Sequence, residues 1–65
     1  MEDAPAHTQA LRIAEAVREA CVREAKAGFE QAAISGLCHE GAVESAIGAI
    51  QMLDLEALLR ELGSA

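Results

Sequence analysis

The sequence predicts an all-α fold: a long first helix, turned back as an antiparallel helical hairpin with a second helix and a short third one, and completed as a bundle by oligomerisation. Three observations lead there. Small and apolar residues recur at helical spacing, since Ala10, Ala14, Val17, Cys21, Ala25, Gly28, Ala32 and Gly36 follow one another at steps of three or four. No alternating β-branched run occurs anywhere in the 65 residues. Finally, 52% of the chain is hydrophobic but only 2% is aromatic, with one Phe and no Trp or Tyr. A core made mostly of Ala recovers little free energy against the ordering entropy of the chain. Chains of this size are usually stapled by disulfides, a metal or a second chain.

The elements follow in order. Residues 1–7 hold Pro5, two acids and no apolar period, and are expected to be a disordered tail preceding a single helical domain over 8–63. Thr8 is suited to cap the first helix. Leu11, Ile13, Ala20, Phe29, Ala33 and Leu37 widen the apolar stripe, while Arg12, Glu15, Glu19, Arg23, Lys26 and Glu30 take the other side. Glu19 and Arg23 stand at i,i+4 in the favourable order. The helix is expected to run to about His39 and stop at Gly41, where a left-handed residue is affordable only to glycine. A second helix then covers about 42–52, with Val43, Ala46, Ile47, Ile50 and Leu53 as its apolar face. Asp54 caps a third helix, in which Leu55, Leu58, Leu59 and Leu62 fall at i, i+3, i+4 and i+7, and Gly63 closes it.

Charge and cysteine content exclude several functions. Eleven acids against five bases give a net charge of -6, the wrong sign for a nucleic-acid partner. No uncharged run approaches the ~18 residues of a membrane span, so no membrane partner is expected. The acidic start carries no apolar core of a signal peptide, and two cysteines are few for a secreted disulfide scaffold, which points to a cytoplasmic protein with reduced thiols.

The stretch Ile34-Ser35-Gly36-Leu37-Cys38-His39-Glu40-Gly41-Ala42-Val43-Glu44-Ser45-Ala46 resembles the inter-helix segment of a pentatricopeptide repeat, in which the first helix continues through Gly-Leu-Cys and turns at the later Gly. The likeness extends over about residues 34–53. It implies that Gly36 lies inside helix one as a close-packing residue and that Gly41 is the turn. The family stacks several repeats and this chain has one, so the hairpin geometry is what the resemblance carries, not RNA binding. The whole chain also resembles short proteobacterial helical proteins that share the Gly36-Leu37-Cys38 and Glu40-Gly41 core, with Val43 where those proteins usually have Trp.

No residue set spells out an enzyme, and none is expected: no catalytic, cofactor-binding or metal-binding residues are assigned. Cys21, Cys38, His39 and His7 are the only soft ligands and lack the paired spacing of structural zinc. Adjacent helical residues diverge by ~100°, so Cys38 and His39 do not share a metal, nor do they form the facing pair that nucleophilic catalysis needs. If both cysteines lie on helix one they stand about 25 Å apart at ~1.5 Å per residue, too far for an internal disulfide. Carboxylates such as Glu15 with Glu19, or Glu40 with Glu44, read as solvated helix faces. Gly36 and Gly41 lack the context of a phosphate loop.

The functional expectation therefore rests on lengths. A first helix from Thr8 to His39 spans roughly 48 Å, and a second of about eleven residues spans ~16 Å. Folded back from Gly41, helices two and three reach only to about residue 19. That leaves Leu11, Ile13, Ala14, Val17, Ala20 and Cys21 as an apolar surface, and such a surface on a small protein marks an interface. The expected function is a small protein–protein interaction module, a homo-oligomer, most simply a dimer, or a module docked on a larger protein. The alternative is an accessory subunit of a bacterial enzyme complex.

Overall fold

A computed structural model of the chain, in which residues 4–64 are described, contains three helices: α1 (Ala4–Ile34), α2 (His39–Gln51) and α3 (Leu55–Ser64). The all-α class and the long first helix stand as the spacing predicts. The boundaries do not. Residues 1–3 lie outside the described residues, but the helix begins at Ala4, so Thr8 lies inside it and is no cap. Pro5 sits in the first turn, where its missing N–H would have had no partner anyway.

The first turn of the chain is at Gly36, not at Gly41. Gly36 has φ +97 and is the one glycine with positive φ among the described residues. Its N–H donates to the carbonyl of Ala33 at 3.0 Å, and the N–H of Leu37 donates to the carbonyl of Ala32 at 3.0 Å. This pair of bonds is the Schellman closure, with Gly36 at C′. Gly41 belongs instead to the first turn of α2, where a Cβ would meet the Leu37 side chain at 3.2 Å. α2 starts after Cys38, which is extended at φ -70, ψ 171 and makes no side-chain cap bond. Asp54 caps α3 as expected, its Oδ1 accepting from the N–H of Ala57 at 3.0 Å. Gly63 lies within α3 and does not close it.

The earlier turn moves everything after it. α2 starts back along α1 from Ile34 rather than from His39, so α3 reaches further than the lengths suggested. Leu59 and Leu62 of α3 border the same small hollow as Gln9, Arg12 and Ile13 of α1. The N-terminal half of α1 is thus partly covered, and the uncovered end inferred from length is corrected.

α2 and α3 pack on α1 and not on one another. The three helices form a thin slab with principal extents of 51 × 23 × 13 Å. A single layer of helices has no interior. The radius of gyration is 15.3 Å, where a compact domain of this length would have about 11 Å. The buried residues are Ala20, Ala32 and Ala42, and no large side chain is fully buried among the described residues.

Candidate interaction face

The seam between α1 and α2 explains which side chains are left outside. The helices approach closely at Gly28, where a Cβ would stand 3.0 Å from the Ser45 carbonyl oxygen, 3.2 Å from Ala49 Cβ and 3.4 Å from Ala46 Cα. At that separation α2 can present only small residues to α1. It presents Ala42, Ser45, Ala46 and Ala49, which share one face at i, i+3, i+4 and i+7. Ala42 is 1% exposed. The expectation that Val43, Ile47 and Ile50 pack inward is therefore overturned: these three occupy a second stripe at i, i+4 and i+7 and are exposed, Ile47 by 51%.

A parallel stripe runs along α1. Val22 is 49% exposed, and Phe29, seven residues on, lies on the same side of the helix and is half-buried. The Phe29 ring packs edge-on against that of His39, with centroids 5.7 Å apart and planes at 74°. His39 is one turn before Val43. This contact ties the two stripes to one broad side of the slab, which thus carries Val22 and Phe29 from α1 with Val43, Ile47 and Ile50 from α2. The other broad side carries no Val or Ile from α2. A shallow hollow there is bordered by small residues such as Gly28, Ser45 and Gly48, with Met52 and Leu37 also exposed at its rim.

The sequence-predicted interface residues separate into two groups. Ala20 is 1% exposed and belongs to the core, so it is corrected as an interface residue. Ile13, Val17 and Cys21 are half-buried, Ile13 beside Leu59 and Leu62. Leu11 and Ala14 remain exposed. The larger apolar surface is the one missed, on α2. Its signal was present in the sequence: α2 carries two adjacent apolar stripes, one small and one large, whereas a helix with one buried face needs only one.

The polar groups are ordinary. Arg23 Nε stands 4.0 Å from Glu24 Oε2, with both side chains well exposed, where the i,i+4 spacing had paired it with Glu19; such a contact contributes little. Cys21 and Cys38 are free thiols, the first in the middle of α1 and the second at the N-terminus of α2. Among the described residues no three His, Cys, Asp or Glu side chains converge in a way that could hold a metal. Among the described residues no helix is long and apolar enough to cross a membrane. Comparison of the chain with family models, curated proteins and solved structures yields no match.

Proposed function

We propose that the protein is a helical interaction module whose working part is the apolar side of the slab, centred on Val43, Ile47 and Ile50. The observation that supports this is the inversion of α2, with alanines inward and branched side chains outward. A water-exposed surface has no use for Val and Ile in preference to Ala or Ser, whereas a second layer of helices does. The surface area agrees. The chain exposes 4975 Å², while a compact protein of 6.8 kDa exposes about 3,950 Å². An excess of about 1,000 Å² is on the scale of one partner's share of a stable interface, ~800 Å². The N-terminal half of α1 adds Leu11 and Ala14 to the surface available for docking. A partner that docks there supplies the layer the slab lacks and buries the side chains that the Gly28 seam keeps out. A cytoplasmic setting suits its two unpaired thiols.

Hydroxyl-radical footprinting of the protein in an extract of the cells that make it tests this for any partner. Val43, Ile47 and Ile50 are expected to be protected several-fold relative to Ile34, which is 86% exposed at the end of α1. Labelling of Ile47 in proportion to its exposure, with no such protection, would mean that the face is bare and that the module has no partner there.

A further inference from the structure

We infer that the occupant of this face is a second copy of the chain, placed so that α1 of each copy lies antiparallel on α1 of the other, with residue 21 at the two-fold axis. The inference rests on the interaction face proposed above and adds the identity and orientation of the partner.

The order of charges on α1 singles out a second copy. Arg12, Glu15, Glu19, Arg23, Lys26 and Glu30 are all exposed and form one row along the outer edge of α1. Glu19, nine positions from Gly28, points ~180° away from the seam. The row reads base, acid, acid, base, base, acid. Reversed about residue 21, Arg12 falls on Glu30, Glu19 on Arg23, and Glu15 within one residue of Lys26, so every base meets an acid. In a two-fold contact, residue i on residue j requires j on i. A row that becomes its own complement when reversed meets that condition. Laid parallel, the two rows would bring each charge level with itself, so the antiparallel arrangement is the one selected.

Shape agrees with that register. Leu11, Arg18, Val22 and Phe29 lie ~80–120° round α1 from Gly28, on the apolar broad side and next to the row of charges. A two-fold axis running across this side, perpendicular to α1 at residue 21, lays the stripe on its copy and keeps outer edge over outer edge. Leu11 of each copy then comes level with Phe29 of the other to within a turn, and Val22 stands beside the axis. α2 occupies the C-terminal part of α1, since Gly28 is level with Ser45 and Ala46. At equal rise per residue it spans about residues 23–34 of α1. Reversal sets α2 of each copy beside about residues 8–19 of the other's α1, the stretch that α2 leaves bare in its own chain. Val43 and Ile47 come level, to within a turn, with Leu11 and Ala14, both exposed in the single chain. Glu40 and Glu44 of the two copies stand toward opposite ends of the dimer and do not meet. Arg18, the one charge within the stripe, comes level with the last turn of the other copy's α2, where the helix dipole favours a cation.

The test is sedimentation equilibrium of the purified chain from 10 to 300 µM, with far-UV circular dichroism to follow folding. The wild-type protein is expected at twice 6.8 kDa. Val22→Glu is expected to weaken association more than a hundredfold, since the contact loses two Val side chains beside the axis and gains two charges. Helix content is expected to be kept, because Val22 is 49% exposed in the single chain. Residues 12 and 30 give the orientation test. Within one chain they stand about 27 Å apart at ~1.5 Å per residue, beyond the ~10 Å Debye length of 0.1 M salt, so they couple only through a second copy. Arg12→Glu and Glu30→Arg are each expected to weaken the dimer about tenfold. Combined, they are expected to restore it to within about threefold of wild type, because opposite charges then face one another again. A dimer that the single reversals leave unweakened, or in which the double variant shows only the product of the two single effects, overturns the antiparallel α1-on-α1 placement. A folded wild-type monomer throughout the range overturns the second copy as occupant. Protection of Ile47 in the cell extract would then preserve the interaction face with a different partner, and its absence would remove both.

Discussion

Gly28 and Gly48 offer a paired test of the seam, because the same substitution should act with opposite balance at two helix-interior positions. Replacing glycine by alanine inside a helix contributes about 1 kcal/mol of stability through propensity. At Gly48 nothing lies within 4 Å of the new methyl group, so Gly48→Ala is expected to stabilise by about that amount. At Gly28 the methyl group would stand 3.0 Å from the Ser45 carbonyl oxygen and 3.2 Å from Ala49 Cβ. Both neighbours are fixed by the α2 backbone, so α1 and α2 must separate by several tenths of an ångström along the length of the seam. Overpacking of this kind costs typically 1–3 kcal/mol. Gly28→Ala is therefore expected to be neutral to about 2 kcal/mol destabilising, and to lie about 1–3 kcal/mol below Gly48→Ala. Urea denaturation followed by circular dichroism, at one fixed protein concentration for both variants, measures the difference. Equal stabilisation by the two substitutions would refute a close approach at Gly28, and with it the reason for the outward placement of Val43, Ile47 and Ile50.

Two further predictions concern the turns. Gly36→Ala meets no atom within 4 Å but keeps φ +97; the strain of ~1–2 kcal/mol is only partly offset by the stiffer unfolded chain, and a net loss of about 1 kcal/mol is expected in denaturant titration. A neutral result would place the turn elsewhere. Asp54→Ala removes the acceptor for the Ala57 N–H and is expected to cost about 1 kcal/mol, with amide exchange quickened in the first turn of α3. Unchanged exchange there would show that the cap contributes nothing.

Much of the fold was legible because helix formation depends on local spacing. The stripe from Ala10 to Ala32 and the Asp54 cap are readable from neighbours within a few residues. The choice between Gly36 and Gly41 was not. Both glycines accept a left-handed conformation, and the decision falls to the bonds from Gly36 and Leu37 back to Ala33 and Ala32, together with the fit of Gly41 against Leu37. The five-residue difference then propagates, carrying α3 along α1 and covering Ile13 that length alone left bare. The inversion of α2 escaped for another reason. Amphipathic patterning assigns the largest apolar side chains to the inside of one chain. A hairpin that fits closely through Gly28 reverses this, and only the separation between two helices, not the period of either, reveals it.

The central claim, that the outward Val and Ile side chains are buried in a second chain, is tested most directly by the melting temperature as a function of protein concentration. If folding and association are coupled, unfolding converts one dimer into two chains, and dilution lowers the midpoint by mass action. Taking ~0.7 kcal/mol per residue for the unfolding enthalpy of the dimer, the midpoint is expected to rise by about 14 °C between 1 and 300 µM. Val22→Glu should melt lower than wild type and show almost none of this rise over the same range. A wild-type midpoint that does not move with dilution would contradict the account.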